Sequence, residues 1–404
     1  MKKKILFVDD EVKILQAARR MLREKRNEWE MAFAESGQQA LEILSREPFD
    51  VVVSDIRMAG MDGPALLNEV MRLYPNTVRI VLSGQSSPQA TLRCVRSAHQ
   101  FLSKPCEAET IKSTIERACA LNASLAEDSV KRVVAQMESC PSMPYLYAQV
   151  VEEIGSPNSS VKNVGKIVSK DPGMTAKILQ LVNSAFFGFF QHIADPVQAV
   201  TLIGLESLMT MILSLHIFSA FDERKLERFS LDRLWAHSNF TAAYAKWIAK
   251  KETQDTFVIN DAFAAGLLHD LGRLVLANNF SDQYENAVSL VRDKGMTSWE
   301  AEFETFGTTH AEIGAYLLGI WGIPQPIIEA IIFHHSPGRC VHQKFSALTA
   351  VYAANTFDHE DHPEDIGTGK VDSAYLSNLD MSDHLSAWKE ICGKVREYGE
   401  KNGK

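Results

Sequence analysis

The chain has 404 residues, of which 46% are apolar and 23% charged, and its formal net charge is -9. This composition predicts a globular protein of two or three domains. The acidic balance argues against general nucleic-acid binding by charge alone. No uncharged apolar run of about 18 residues predicts a membrane span, and the apolar stretch after Lys4 is too short for a signal peptide. Because the six cysteines form no Cys-x-x-Cys pair, we expect reduced thiols in a cytoplasmic protein.

Strand and helix patterns alternate along the first part of the chain. Val51–Val53 are three consecutive β-branched residues, which predict a fully buried strand, and Asp55 ends that strand where the chain leaves the core. The predicted strands are Lys4–Asp10, Trp29–Ala34, Val51–Asp55, Arg79–Leu82 and His99–Leu102. Five strands separated by helical patterns predict an α/β, doubly wound, five-stranded parallel sheet.

Polar groups stand at the carboxyl ends of four of these strands. In the doubly wound order, strands one and three end at the crevice where ligands bind, which brings Asp9, Asp10 and Asp55 together. Three carboxylates repel one another unless a cation joins them, and oxygen ligands favour Mg²⁺. Ser83 and Lys104 end the fourth and fifth strands and face the same crevice.

These residues resemble the receiver domain of two-component response regulators over residues 1–122. The matching motifs are Phe7-Val8-Asp9-Asp10-Glu11, Ser54-Asp55-Ile56-Arg57-Met58, Leu82-Ser83-Gly84 and Phe101-Leu102-Ser103-Lys104-Pro105. The resemblance implies that a sensor histidine kinase phosphorylates Asp55 and that Asp9, Asp10 and the carbonyl of Arg57 hold Mg²⁺ with Asp55.

Other roles follow from the same resemblance. Ser83 follows the phosphate, Lys104 binds it, and Phe101 stands at the switch aromatic position. The resemblance also implies a cis bond between Lys104 and Pro105. Ala59 departs from the family, which commonly has proline there.

Residues 123–138 are predicted to form a linker helix that continues the last receiver helix. This stretch has no glycine or proline, and its apolar residues recur near helical spacing. Such a helix packs against the next domain or against a second subunit, which would make the protein a homodimer. An exposed linker is the alternative.

Beyond Pro141 the helical periods dominate and predict an all-α bundle. The candidate metal-binding side chains lie within its apolar helices: His237, His269, Asp270, His310, His334 and His335. Imidazole and carboxylate groups side by side suit a divalent metal, although single histidines in helices are commonly ordinary core or surface residues. The aromatic run 186–190 is interpreted as core packing, and the polar run 358–362 as a solvated loop.

This region resembles the HDOD domain, a relative of the HD phosphohydrolases. The motifs include Pro141-Ser142-Met143-Pro144, Ser169-Lys170-Asp171-Pro172-Gly173-Met174 and Val182-Asn183-Ser184-Ala185-Phe186-Phe187-Gly188. The resemblance implies an HD-like output domain at 139–360, with 361–404 as a C-terminal helical extension. Asn355 stands where active HD enzymes need an aspartate, and Arg273 and Ser336 also depart from the related hydrolases.

Two functions remain open at this stage. The first is a phosphorelay regulator whose non-catalytic output domain binds a downstream protein. The second is a receiver-gated phosphohydrolase that uses Mg²⁺, Mn²⁺ or Fe on a cyclic nucleotide or dinucleotide. Direct DNA binding has little support, because no basic recognition helix follows the receiver.

Overall fold

The structure is a computed structural model of the chain. It describes residues 2–84, 97–124, 130, 133–134, 140–142, 144–156, 159–183, 193–205, 208, 218–220, 230–340, 344–361 and 372–402. The statements below concern these residues.

The first domain is a five-stranded parallel sheet flanked by helices. Its elements are β1 (Lys3–Val8), α1 (Val12–Met21), β2 (Trp29–Ala34), α2 (Gly37–Leu44), β3 (Val51–Asp55), α3 (Gly63–Leu73), β4 (Val78–Gly84), β5 (Gln100–Lys104) and α4 (Ala108–Ser124). The strand order is β2-β1-β3-β4-β5, with every neighbour parallel. The predicted doubly wound sheet is therefore confirmed.

Alternating side chains of the strands fill two separate cores, one on each face of the sheet. Leu6, Val52 and Phe101 lie in the larger core, while Phe7 and Val53 lie in the other. Burial on both faces explains why the strands read as continuous apolar runs. The larger core continues without interruption into the second domain.

The second domain is helical, as predicted. Its elements are β6 (Cys140–Ser142), α5 (Pro144–Gly155), α6 (Val161–Val168), α7 (Pro172–Val182), α8 (Pro196–Ile203), β7 (Phe218–Ala220), α9 (Leu231–Glu252), α10 (Thr256–Leu268), α11 (Leu271–Asn279), α12 (Ser281–Lys294), α13 (Ser298–Phe306), α14 (His310–Ile320), α15 (Gln325–Phe333), α16 (Ala347–Asp361), α17 (Ser373–Asn378) and α18 (Leu385–Asn402). The short parallel pair of β6 and β7 was not predicted, because helical periods dominate the sequence beyond Pro141.

The prediction of a solvated loop at 358–362 is wrong for residues 358–361, which the structure describes. Helix α16 runs to Asp361, and Asp358 and His359 are buried in it at 1% and 5% exposure. The polar residues continue the same helical face as the buried Val351 and Ala354. Asp358 contacts Nδ1 of His237 at 2.6 Å, and the His359 ring packs against the His237 ring with 4.4 Å between their centroids.

Some predicted elements lie outside the described residues. These are most of the helical segment predicted between the fourth and fifth strands, most of the linker helix at 123–138, and the aromatic run 186–190. Within the linker, Val130, Val133 and Val134 are buried in the larger core. In the part of the chain that the structure describes, no helix combines the length and apolarity that crossing a membrane requires.

Candidate functional sites

The first candidate site lies at the carboxyl ends of the receiver strands. Asp9 directly follows β1 and Asp55 ends β3, and both are buried, at 2% and 8% exposure. The ammonium group of Lys104, at the end of β5, lies 2.6 Å from Oδ2 of Asp9 and 2.5 Å from Oδ1 of Asp55. The parallel sheet therefore brings these three charged residues together, as the strand pattern predicted.

Backbone N–H groups orient the carboxylates. Asp10 Oδ2 accepts a hydrogen bond from the Ala59 N–H at 2.8 Å, which fixes the loop after β3. Asp55 Oδ2 accepts from the Arg57 N–H at 2.8 Å. Gly63 lies so close to this loop that an added Cβ would stand 2.2 Å from the Asp55 carbonyl oxygen. The β3–α3 loop is thus closely held around Asp55.

Lys104 is partly buried, and burial by itself disfavours its charge. Hydrogen bonds to Asp55 and Asp9 outweigh that effect and raise the pKa of Lys104 above its ordinary value. The Lys104–Pro105 bond is cis, which confirms that expectation. Phe101 is buried at 2% exposure, and Ser83 lies in β4, paired with Ser103.

The second candidate site is a buried cluster of histidines and acids in the helical bundle, which we call the histidine cluster. Its members come from the ends or faces of seven helices, because apolar helix packing directs these ends toward one point. The members are His237 on α9, His269 and Asp270 between α10 and α11, Glu302 on α13, His310 on α14, His334 and His335 after α15, and Asp358 and His359 on α16. All six predicted residues are brought together here.

Asp270 joins the two halves of the histidine cluster. Its Oδ1 lies 3.2 Å from Nε2 of His310, and its Oδ2 lies 3.6 Å from Nε2 of His269. On one side, Nε2 of His237 and Nε2 of His269 are 3.0 Å apart. On the other, Nε2 of His310 is 2.9 Å from Nε2 of His335. Two three-residue groups with ligand-type spacing result, His237 with His269 and Asp270, and His310 with His334 and His335.

The outer nitrogen of four histidines has an acceptor that fixes the ring. Nδ1 of His269 faces the Gly266 carbonyl at 2.8 Å, and Nδ1 of His334 faces the Ile331 carbonyl at 2.6 Å. The other two rings are held by carboxylates: His237 by Asp358 at 2.6 Å and His310 by Glu302 at 2.5 Å. A proton on each Nδ1 leaves the Nε2 lone pairs pointing inward, as metal-binding histidines are held.

Several acceptor oxygens in the cluster lack hydrogen bonds from described residues. They are both carboxylate oxygens of Asp270, Oε1 of Glu302 and Oδ1 of Asp358. The guanidinium of Arg273 does approach Asp270, with Nη1 3.1 Å from Oδ2. Buried acceptors facing inward lone pairs fit a cation, so the residues present suit a divalent metal.

Burial and charge set the protonation of the cluster. Burial lowers the pKa of His269 to about 4, and it also lowers those of His334 and His335 well below their ordinary value. Burial works against the charge of Asp270, but Arg273 and the neighbouring histidines hold its pKa well below the usual range. Neutral imidazoles around an ionised carboxylate are the forms that bind a metal.

Sequence reasoning missed Asp358, His359 and Glu302. On α16, the carboxylate that contacts Nδ1 of His237, at 2.6 Å, belongs to Asp358. The available signal was spacing, because positions 351, 354 and 358 share one face of a helix. Glu302 carried no local signal, since only the fold brings α13 to the start of α14.

Comparison with known proteins agrees with both halves of the structure. The family model of the response regulator receiver domain matches residues 5–116, and that of the HDOD domain matches residues 140–337. The MmoQ response regulator of Methylococcus capsulatus has a similar fold, with a TM-score of 0.50 and 23% identity over 63% of this chain and 99% of that one.

Two curated relatives match parts of the chain. An uncharacterised protein of Treponema pallidum is 27% identical over 55% of this chain and 43% of its own length. The transcriptional regulatory protein ZraR of Escherichia coli K12 is 30% identical over 36% of this chain and 34% of its own length. The chain thus spans less than half the length of these relatives.

The sheet and its carboxylate site define the first domain as a response regulator receiver. With its helical second domain, the chain belongs to the receiver proteins that carry an HDOD domain. A receiver implies a phosphodonor such as a histidine kinase.

Proposed function

We propose that this chain is a phosphorylation-dependent response regulator in which Asp55 accepts a phosphoryl group and controls the HDOD domain. The observation that carries the proposal is the placement of Lys104, whose ammonium contacts both Asp55 and Asp9. Transfer moves a phosphoryl group from the donor to a carboxylate oxygen of Asp55. Lys104 then neutralises charge on that group.

The receiver residues fit a magnesium ion. Asp9 and Asp10, with Asp55 and the carbonyl of Arg57, would hold Mg²⁺, which supplies charge neutralisation during phosphoryl transfer. Proposed partners are a sensor histidine kinase as donor and a downstream protein that binds the HDOD domain. The proposed location is the cytoplasm.

The test is labelling by a small phosphodonor. The full-length protein is incubated with acetyl phosphate and Mg²⁺, and the mass gain of one phosphoryl group is followed by intact-protein mass spectrometry. We expect Asp55→Asn to remove the gain and Asp62→Asn to keep it, because Asp62 caps α3 in the next loop. Persistent labelling of Asp55→Asn would refute the assignment.

A second function, metal-dependent phosphohydrolysis, is favoured by one observation in the bundle. The inward Nε2 atoms of four fixed histidines surround the ionised Asp270. His237, His269, Asp270, His310, His334 and His335 would hold Fe, Mn²⁺ or Mg²⁺, and the metal would activate water for attack on a phosphate ester. Asn355, Arg273 and Ser336 argue against turnover, so we propose signalling as the main role.

Elemental analysis and turnover separate these two roles. We propose to purify the wild type beside His269→Ala with Asp270→Ala, and to measure bound metals and hydrolysis of cyclic nucleotides and dinucleotides. Metal with turnover that rises after phosphorylation supports the hydrolase. Metal without turnover leaves a structural or regulatory site, and equal metal in the variant removes the cluster from consideration.

A further inference from the structure

The two domains meet at the amino-terminal end of β5 through a small set of hydrogen bonds. Nε2 of Gln100 donates to the Ile320 carbonyl at 3.0 Å. Nε2 of Gln180, on α7, donates to the His99 carbonyl at 3.1 Å. We call this group of four residues, His99, Gln100, Gln180 and Ile320, the β5 seam. Both glutamine side chains are buried, at 5% and 1% exposure.

The surroundings of the β5 seam are polar and incompletely paired. Arg79, buried on β4, donates to the Ser97 carbonyl at 2.6 Å and lies 2.7 Å from Nε2 of His99. Among the described residues, Oγ of Ser97 and Oε1 of Gln180 have no hydrogen-bond partner. An unmatched buried polar group costs roughly 1–3 kcal/mol. The seam is therefore held less firmly than the apolar core beside it.

Strand β5 connects the seam to the phosphorylation site. Gln100 begins the strand and Lys104 ends it, about 13 Å away at strand spacing. Lys104 contacts Asp55 and Asp9, and the buried Phe101 follows Gln100 directly. A phosphoryl group on Asp55 would give Lys104 a new partner. Strand β5 is the direct covalent link from Lys104 to Gln100.

Helix α14 connects the seam to the histidine cluster. Ile320, whose carbonyl accepts from Gln100, ends the helix, and His310 begins it. The 11 residues of α14 span about 16 Å as one rigid element. At its first residue, the His310 N–H donates to Glu302 at 2.8 Å and Nε2 lies 3.2 Å from Asp270. Strand β5 and helix α14 therefore form a continuous path between the two candidate sites. The phosphorylation site lies at the Lys104 end of this path, and the histidine cluster lies at the His310 end.

We propose that the β5 seam is a releasable contact that holds α14, and with it His310, in the unphosphorylated arrangement. Phosphorylation of Asp55 weakens the seam through Lys104 and β5, and α14 then moves relative to Asp270. The inference rests on the proposed function, since it takes Asp55 as the phosphoacceptor. It identifies the regulated element as α14 and the regulated site as the histidine cluster.

Hydrogen exchange of the full-length protein, followed by mass spectrometry, tests the seam directly. Beryllium fluoride with Mg²⁺ serves as the phosphoryl mimic, and the peptides of interest cover α14 and α7. We expect faster exchange in both peptides when the mimic is added. Gln100→Ala with Gln180→Ala should speed exchange in both peptides by up to about 25-fold without the mimic, because each lost bond contributes about fivefold to an opening equilibrium. Gln198→Ala, exposed on α8, is the control and should leave both peptides unchanged.

Coupling between two sites is reciprocal, which supplies a second readout. If the seam opposes phosphorylation, the double variant should be labelled by acetyl phosphate to a higher equilibrium level than the wild type. Gln180→Ala alone should give a smaller change in the same direction. Gln180 lies in the helical bundle, far along the chain from Asp55. A change in labelling in this variant therefore reports the contact between the domains and not a local effect within the receiver.

The outcomes separate the seam from the proposed function. Wild-type protein that is labelled at Asp55 while exchange in α14 stays unchanged overturns the inference. Absence of any labelling overturns the proposed function and its link to the seam. Double-variant exchange in α14 equal to that of the Gln198→Ala control shows that the seam does not hold the helix, and this also overturns the inference.

Discussion

The close approach of Gly272 to His310 yields a sharp test of how the histidine cluster is assembled. A Cβ added at Gly272 would stand 2.0 Å from the His310 carbonyl oxygen and 2.7 Å from its carbonyl carbon. Both atoms belong to the backbone of α14 and cannot rotate away. Gly272→Ala therefore forces α11 and α14 apart at the point where Asp270 meets His310.

The expected loss of unfolding free energy in Gly272→Ala is the sum of two opposing effects. Overpacking a closely fitted site costs about 1–3 kcal/mol, and the backbone contact places Gly272→Ala at the upper end of that range. Replacing a helical glycine by alanine returns about 0.5–1 kcal/mol. The net loss is about 2 kcal/mol. For a unit of roughly 200 residues, this lowers the melting temperature by about 4–8 °C.

Circular dichroism melting of the full-length protein measures this change, and Gly393→Ala is the matched control. Gly393 lies exposed in α18, and its added Cβ would meet nothing within 4 Å. The control should keep or slightly raise the melting temperature. A Gly272→Ala protein as stable as the control would show that α11 and α14 do not approach this closely.

Three further predictions concern single side chains. Lys104→Met should lower the labelling of the receiver by acetyl phosphate at least tenfold, measured by intact mass, because the ammonium group that contacts Asp55 is lost. The pKa of His99 lies well below its ordinary value, chiefly because of burial and then because of the positive charges of Arg79 and Lys177. The neutral form of His99 therefore stabilises the fold above pH 6.5, and this contribution to the free energy of unfolding falls as the pH drops below 6.5. At pH 5.5 the loss of unfolding free energy reaches about 1.4 kcal/mol. Urea unfolding at pH 7.5 and 5.5 should therefore show a smaller difference in stability for His99→Gln than for the wild type. Asp358→Asn should weaken any metal bound at the cluster by about 10- to 100-fold in a competition titration, whereas Asp383→Asn, exposed near the C-terminus, should leave it unchanged.

The receiver could be predicted almost completely from the sequence. Its strands are buried on both faces, so Val51–Val53 reads as a strand without any partner being known. Parallel strands place their carboxyl ends at one edge, and this alone brings Asp9, Asp55 and Lys104 together. The chemistry of this site is set by chain order and sheet geometry.

The histidine cluster was predicted only in part, because long-range helix packing assembles it. The histidines stood out as polar residues within apolar helices. Glu302 looked like any acidic helix residue, yet it is 1% exposed and binds both the backbone and the ring of His310. Asp358 was read as part of a solvated loop, because a run of charged residues resembles one when its burial is unknown.

Charge balance links these missed residues to the role of the cluster. Asp270, Asp358 and Glu302 place three carboxyl groups in the buried cluster, and the guanidinium of Arg273 contacts Asp270. With all three carboxyl groups ionised, the net charge of two negative units would be costly in a low-dielectric interior. One divalent cation balances it, whereas two would leave an excess that a bound anion such as phosphate must offset. Two protons are the other route to neutrality, so one equivalent of metal in the purified protein distinguishes a metal-binding cluster from a protonated one.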